Sequence, residues 1–478
     1  MKKVLIRVDA SPEIGLGHAV RCIALANILK NNFSICFNSI HIPITLINEI
    51  ESAGFTFNKI NNENDFYESI NENDIVVIDH YGIDSSWQRK IKSKTCKLVC
   101  IDDIHDKFFY ADLIINHAPG ISTNNYLTQA QTMFALGTKH ALLRPAFLKL
   151  SDNKRKINNF NTVFVCFGGS DYYNLSERTI NVLLNKKYFQ TIILVTGVNF
   201  IYTETLKETI ENSPEIKFYQ DIKENEMAEL MLRSDVAIVP SSGILLEALS
   251  LGCIVISGMY VENQKHMYTQ FKHQNLIIDS GSFQEHEIIH ALEMLFDKKE
   301  HLNPVNLNLQ PGKTLNLFEL LSLCNEVTLK KADESDLDAT YKWAIDPKIR
   351  SNSFSTHVIS KQEHSNWFLK KIEDKNCLYL IASKDNDEIG SIRFDCDNGK
   401  AKISYLVDTA YQGQGFGLIL LHMGIEYLSK HKLMNEINEI FGQVFFNNIP
   451  SIKAFERLGF KKQINEDHFL FHKKINKT

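Results

Sequence analysis

Apolar runs are short and frequent over the first 150 positions. Val4–Val8, Ser34–Phe37, Ile75–Asp79, Lys97–Ile101 and Leu113–Ile115 predict strands. Between them lie helical patterns; one starts near His18 and runs through Arg21, Leu25 and Leu29 at helical spacing. Strand–helix alternation of this kind predicts a doubly wound parallel sheet. The polar stretch Asp152–Lys156 predicts a linker. A second series follows, with strands at Thr162–Phe167, Ile192–Thr196, Asp235–Pro240 and Cys253–Ser257. Its helices are expected at Glu226–Arg233, after Ser241, and at Leu315–Leu323. From Val327 the pattern changes: Val327–Lys330, Leu378–Ala382, Ile389–Phe394 and Ala401–Val407 read as strands, the middle two antiparallel. Helices at Glu334–Ala344 and Leu418–His431, a strand at Gly442–Phe446 and a helix from Asn448 closed by Gly459 complete it. The expected domains are 1–150, 151–325 and 326–478: two Rossmann-like α/β halves, then an α+β domain.

Two such halves facing one another make a GT-B-type cleft, and ligands bind outside the carboxyl ends of parallel strands. The candidate chemistry therefore sits at strand ends. The first strand runs into Asp9, a loop with Gly15 and Gly17, and a helix opening on His18 with Arg21 one turn on. Strand, glycine loop and helix aim backbone N–H groups and a positive helix end at an anion. Asp79-His80-Tyr81-Gly82, Asp102-Asp103 and Asn116-His117-Ala118 end later strands. In the second half, Gly168-Gly169-Ser170-Asp171 and Ser241-Ser242-Gly243 offer N–H groups to phosphate. Glu247, one turn into its helix, can accept from both ribose hydroxyls. The same residues also fit a tight turn with a structurally bonded histidine, and a serine-capped helix with a solvent-facing Glu.

The chain has 478 residues, which exceeds one ordinary core. A net charge of −5 argues against nucleic acid as a partner. With no run of 18 apolar residues, no membrane span is expected. The first apolar run stops at Asp9, too short for a signal peptide, so a cytoplasmic location is expected. Nine cysteines form no disulfide-like frame. Cys96 and Cys100 lack the second pair a zinc site needs, so buried thiols are expected. No metal-ligand cluster stands out, and no metal is expected. His422 and Glu426 share one helix at i, i+4, facing solvent or packing structurally.

Gln412-x-x-Gly415-x-Gly417 lies between a strand and a helix. Glycine at 413, 415 and 417 lets a pyrophosphate approach the backbone without Cβ clashes. The motif is not G-x-G-x-x-G with an acidic residue about 20 positions on, which argues against a dinucleotide site. With its flanking elements it resembles the GNAT acetyltransferase superfamily, over roughly Val327 to Lys474. That resemblance implies acetyl-CoA as co-substrate. It implies contacts from Val407, Gln412, Gly413, Gln414, Gly415, Phe416 and Gly417, with Asn448 and Ser451 near the pantetheine arm. One position departs. Phe455 stands where many relatives carry a Tyr that protonates the departing thiolate, and Phe cannot donate a proton. Restoring the phenol by Phe455→Tyr is expected to leave transfer intact or raise it.

Arg7-x-Asp9-x-Ser11-x-x-Ile14-Gly15-x-Gly17-His18-x-x-Arg21 resembles the UDP-sugar hydrolases of pseudaminic acid biosynthesis (the PseG family). It is similar, more distantly, to MurG-like glycosyltransferases. Asp79–Asp84, Asp102-Asp103, Arg144-Pro145, Phe167–Asp171, Ser241–Gly243, Glu247 and Glu262-Asn263-Gln264 extend the match over about residues 1–320. The resemblance implies hydrolysis of UDP-2,4-diacetamido-2,4,6-trideoxy-β-L-altropyranose. His18 would position or deprotonate water. Asp9, Gly15, Gly17, Arg21, Tyr81, Gly169, Ser170, Ser242, Gly243, Glu247, Asn263 and Gln264 would hold the substrate. The preceding step in that pathway acetylates the sugar's 4-amine, which fits a PseH-like acetyltransferase on the same chain. Two other readings are a glycosyltransferase with the same cleft, and a non-catalytic sugar-nucleotide module on an active acetyltransferase.

Overall fold

The computed structural model describes residues 2–11, 15–151, 155–157, 159–169, 171–197, 200–355 and 357–475. Ser170, Ile14 of the first loop and Asp152–Lys154 of the expected linker lie outside the described residues.

Seven parallel strands form the first sheet, in the order Thr56–Lys59, Phe33–Ser39, Lys2–Val8, Ile75–Asp79, Lys97–Ile101, Leu113–Asn116, Met133–Leu136. The central strands Ile75–Asp79 and Lys97–Ile101 are buried throughout because both faces are covered. Strand order reverses at Lys2–Val8, and Val8 stands level with Asp79 across that reversal. The loops after these two strands therefore meet at the topological switch point. The helix Gly17–Leu29 returns over the sheet, burying Ala19, Cys22, Ile23, Ala26 and Leu29 at helical spacing.

Ile216–Gln220, Thr191–Thr196, Thr162–Val165, Val236–Pro240, Ile254–Gly258 and Ile278–Asp279 form the second parallel sheet, again with a central reversal. The strands without a sequence signal, Thr56–Lys59, Met133–Leu136, Ile216–Gln220 and Ile278–Asp279, all sit at sheet edges. An edge strand buries less, so its apolar run is shorter and more polar.

The third sheet is mixed, in the order Val327–Lys331, Cys377–Lys384, Asp387–Asp397, Lys400–Val407, Glu439–Phe445, His468–Lys474, Lys461–Ile464. Its one parallel pair, Lys400–Val407 with Glu439–Phe445, is bonded only from Lys400–Lys402 to Glu439–Phe441. Beyond that point the two strands part, and a cavity opens between them.

The helix Pro311–Cys324 follows the second sheet in sequence yet packs on the helix Gly17–Leu29 of the first half. Its Phe318 and Leu321 are fully buried in one apolar core shared by the first sheet, this crossover helix and the third domain's helix Phe416–Ser429. Polar contacts show where the third domain sits. Lys2 donates to the Ser322 carbonyl at 2.6 Å, Asn325 to the Asn73 carbonyl at 3.1 Å, and Lys473 to the Ala130 carbonyl at 2.8 Å. His422 bonds the Gln131 carbonyl, and Lys97 pairs with Glu426. Lys2, Asn73, Lys97, Ala130 and Gln131 all lie at or just before the amino ends of first-sheet strands. The third domain is thus docked on the amino edge of that sheet, away from the carboxyl edge that carries the strand-end residues.

Candidate functional sites

At the carboxyl edge of the first sheet, Gly15 turns the loop with φ +85° and Gly17 opens the helix. His18 is buried, and its Nδ1 lies 2.5 Å from Asp79 Oδ1. Arg21 forks the same carboxylate, Nε to Oδ2 and Nη2 to Oδ1 both at 2.6 Å, and reaches Asp103 at 2.9 Å. Burial opposes ionisation of Asp79, but Arg21 and His18 outweigh it and hold the carboxyl well below its usual range. A carboxylate only accepts, so the contact from His18 Nδ1 to Asp79 is donated by the ring. The ring of Tyr81 meets His18 edge-on at 4.7 Å, and its hydroxyl donates to Asp103 at 3.0 Å.

Asp9 has a different place from the one expected. Its oxygens accept from both terminal nitrogens of the fully buried Arg7, from the Ile40 and His41 N–H groups and, at 3.2 Å, from His80. With its lone pairs so engaged and its carboxyl buried, Asp9 braces the loop rather than presenting itself to a ligand.

Across the cleft, a side chain at Gly169 would reach 3.3 Å from Leu16, so the loops of the two halves meet there. Ser242 caps the helix Gly243–Ser250 by position alone, with no side-chain capping bond, and Gly243 is open to solvent. That leaves the helix-start N–H groups facing outward. Glu247 is buried, and Arg144 forks both its oxygens at 2.7 Å. It is therefore neither solvent-facing nor bare; only the lone pairs outside that fork remain for hydroxyls. Asn263 is exposed, while Gln264 is buried and accepts from Tyr260 N at 3.0 Å.

Several cleft residues carried no role in the sequence reading. Asp79 and Asp103 were visible only within strand-end clusters and the family match, and Arg144 only within that match. His117 is buried with its Nδ1 unpartnered among the described residues, and burial, then Arg21, push it down to about 4. Burial and the neighbouring Asp103 raise Asp102 to about 6. His105 meets His266 of the second half edge-on at 4.9 Å, so histidines line both walls.

The third domain holds a cavity of about 1110 Å³, lined by both parted strands and the Gln412–Leu418 loop. Gly413 and Gly415 take φ +82° and +89°, conformations that favour glycine. A side chain at Gly413 would meet nothing within 4 Å, whereas one at Gly415 would run into Leu320 of the crossover helix. Val407, Gln412, Phe416 and Gly417 also line the cavity. Gln414 does not; it is exposed and donates to the Ala410 carbonyl at 3.2 Å. Asn448 caps the helix Ile449–Arg457 by accepting from Ser451 N, and the Tyr405 hydroxyl donates to Ser451 Oγ at 2.8 Å. The opposite wall is aromatic and cationic, with the Arg393 guanidinium 4.9 Å from the Trp367 ring.

Phe455 stacks on Phe471 at 5.1 Å, and its para carbon lies only 2.5 Å from where a side chain at Gly442 would begin. The far end of the ring is therefore spent against the strand Glu439–Phe445. A phenol hydroxyl added there would crowd Gly442, which weighs against Phe455→Tyr restoring a donor.

At the module interface Asp112, His422 and Glu426 bring ligand atoms within 4.8 Å of one another. Lys92 lies 2.7 Å from Asp112, and Lys97 3.5 Å from Glu426. Two ammonium groups already balance the two carboxylates, so a divalent cation would find no charge to neutralise. His422 is fully buried, one of the two arrangements the sequence left open. Cys96 and Cys100 are free and buried, as expected. Among the described residues no helix is long and apolar enough to cross a membrane.

Residues 326–461 match the family described as the acetyltransferase (GNAT) domain. An uncharacterised protein of Methanocaldococcus jannaschii is 26% identical over 96% of this chain and 97% of its own. The UDP-2,4-diacetamido-2,4,6-trideoxy-β-L-altropyranose hydrolase of Campylobacter jejuni is 29% identical over 56% of this chain and 95% of its own. Among solved structures, the spermidine N-acetyltransferase of Vibrio cholerae, in complex with CoA and spermine, is 18% identical, with a TM-score of 0.29 over 32% of this chain and 96% of its own. The chain thus couples an N-terminal region related to UDP-sugar hydrolases to a C-terminal GNAT acetyltransferase domain.

Proposed function

We propose that this chain carries two consecutive activities on one UDP-amino sugar. The C-terminal domain acetylates the 4-amino group of UDP-4-amino-4,6-dideoxy-N-acetyl-altrosamine from acetyl-CoA. The N-terminal halves then hydrolyse UDP-2,4-diacetamido-2,4,6-trideoxy-β-L-altropyranose to UDP and free sugar. The single observation that carries the hydrolase reading is the His18–Asp79 pair at the switch point of the first sheet.

In this reading His18 Nε2 orients water and takes its proton as the sugar's C–O bond breaks. Asp79 fixes the ring and stabilises the imidazolium that forms. The N–H group of Gly243 and the positive helix end receive the developing charge on UDP. Arg144 holds Glu247 in one orientation for the ribose. In the third domain the residues suit acetyl-CoA: strands that part, a loop with glycine at 413, 415 and 417, and a helix start at Phe416. Bound there, acetyl-CoA supplies an activated acyl group. The Gln412–Gly417 loop holds its pyrophosphate, and the wall of Trp367 and Arg393 receives the amino sugar.

The test is direct. The diacetamido UDP-sugar, incubated with the protein in buffer alone, should yield UDP and free sugar in equal amounts. UDP release that required an added acceptor hydroxyl would replace hydrolysis with glycosyl transfer. No turnover with a tightly bound UDP-sugar would leave a binding module.

A further inference from the structure

The carboxyl edge of the first sheet holds a ring that the proposed hydrolysis does not use. His117 follows directly on the strand Leu113–Asn116, at the end where the cleft residues collect. It is 4% exposed, and its Nδ1 has no hydrogen-bond partner among the described residues. The residue before it is satisfied: Asn116 donates to the Tyr126 hydroxyl at 2.8 Å and accepts from Ala118 N at 2.9 Å. His117 lies within electrostatic reach of Arg21, Asp103 and Asp79. Arg21 in turn bonds Asp79 and Asp103 and stands 3.0 Å from His18 Nδ1. The charges that act on His117 are thus the ones that hold His18. A buried ring nitrogen is costly to leave unpaired, so one kept in a binding cleft points to a partner that arrives with the ligand.

Charge narrows the chemistry of that partner. Burial and Arg21 outweigh the two carboxylates and push His117 down to about 4, so the ring is neutral in ordinary conditions. The same burial and the same guanidinium oppose an ammonium beside the ring. An uncharged amide meets neither objection. Its N–H can donate to a bare ring nitrogen and its carbonyl can accept from a protonated one, so either tautomer serves.

We propose that His117 receives an acetamido group of the sugar and so selects acetylated UDP-sugars over those with a free amine. The inference rests on the hydrolase part of the proposed function. A free amine at that position either brings a second cation toward Arg21 or sheds its proton before it binds. It also lacks the carbonyl. A site built to hydrogen-bond one group rejects the analogue that lacks it, because its own buried polar atom is then left unpaired. The loss falls on recognition of the sugar, while the UDP contacts across the cleft are untouched.

His117→Leu and His117→Gln in the full-length protein test this with two readouts. The first is UDP release, without acetyl-CoA, from the diacetamido UDP-sugar and from its two analogues with a free amine at C2 or at C4. Wild type should prefer the diacetamido sugar over at least one analogue by about tenfold or more in kcat/KM. His117→Leu should shrink that preference to within about threefold, through a loss on the diacetamido sugar, while UDP affinity stays within about twofold. His117→Gln keeps an uncharged hydrogen-bonding end and should recover most of the loss. No preference in wild type, or a preference that survives in His117→Leu at both positions, would overturn the proposal. The second readout needs neither turnover nor a folded leucine variant. Nitrogen-15 resonances of the histidine rings are followed in His18→Ala protein, with His117 assigned through His117→Gln. The His117 ring should shift when the diacetamido UDP-sugar is added and stay in place with UDP alone. A ring that responds to neither, or equally to both, would overturn the proposal. If wild type releases no UDP from the diacetamido sugar, hydrolysis falls, while the ring resonances still decide this inference.

Discussion

The cleft and the third-domain cavity position a reacting group by opposite means. In the cleft, His18 is held by charge: Asp79 on its Nδ1, Arg21 across Asp79, and Asp103 behind Arg21. In the cavity, glycines at positive φ shape the Gln412–Gly417 loop, and the contact beside it is a neutral one from Tyr405 to Ser451. The charged site collects residues 18, 21, 79 and 103 from several strand ends. The other draws on one contiguous stretch, 412–417, of which all but Gln414 line the cavity. A network of ions in a buried place is costly to disturb, because removing one member strands the others. A backbone cradle is costly to fill, because any Cβ occupies the space the ligand needs.

That contrast sets the largest expected effects. His18→Ala should cut UDP release from the diacetamido sugar by about 10²-fold or more while UDP binding persists, and acetylation should continue. Gly413→Asp should cut acetyl transfer by about 10²-fold or more and spare UDP release, since it strains a positive-φ position and sets a carboxylate against pyrophosphate. Gly413 is the better site for this than Gly415, whose side chain would also push Leu320 of the crossover helix. Steady-state assays of both reactions on both variants check the pair; loss of both activities in either variant would erase the contrast.

Next in size, Asp79→Asn keeps the shape of the charged site and removes its charge. UDP release should fall between about 10- and 100-fold, with the fall in kcat rather than in UDP affinity. Unchanged turnover would reduce Asp79 to a packing residue.

Phe455→Tyr should destabilise the protein by about 1–3 kcal/mol, seen as a lower denaturation midpoint, with no gain in acetyl transfer. A faster variant would mean that the ring can turn its hydroxyl into the cavity.

The smallest effect concerns pH. His117 is pushed down to about 4 in the folded state, from an ordinary value near 6.5. The unfolded chain therefore binds this proton more readily. The contribution is present above about pH 6.5 and is lost as pH falls toward 4. At pH 5 the loss is about 2 kcal/mol relative to pH 7. His140 is depressed similarly, so His117→Asn should shrink the acid-side fall in the denaturation midpoint rather than abolish it.

The contrast also explains what could be read from the sequence. The Gln412–Gly417 loop was legible because its residues are contiguous and glycine there has one physical purpose. The two parallel sheets were legible from their apolar central strands; their polar edges, such as Ile216–Gln220, were not. His18 stood out through its glycine loop, but its partner Asp79 sits 61 positions away and shows in sequence only as a strand ending in a polar cluster. Asp9 looked like a ligand group because nothing in sequence reveals that Arg7, one pleat back on the same strand, would occupy it. The Arg144–Glu247 fork and the contact of Phe455 with Gly442 are tertiary pairings with no local signature.

The docking of the third domain on the amino edge gives the account its sharpest consequence. The strand-end residues of the cleft stand at the opposite edge of that sheet. On the proposed function, the acetylated sugar then leaves one site before reaching the other. The most direct test supplies the 4-amino UDP-sugar and acetyl-CoA to the intact protein and follows CoA thiol and UDP together. The account predicts CoA thiol first and UDP after a lag, a lag that shortens as protein concentration rises, and almost no UDP when acetyl-CoA is omitted. Rapid UDP release from the unacetylated sugar would contradict it.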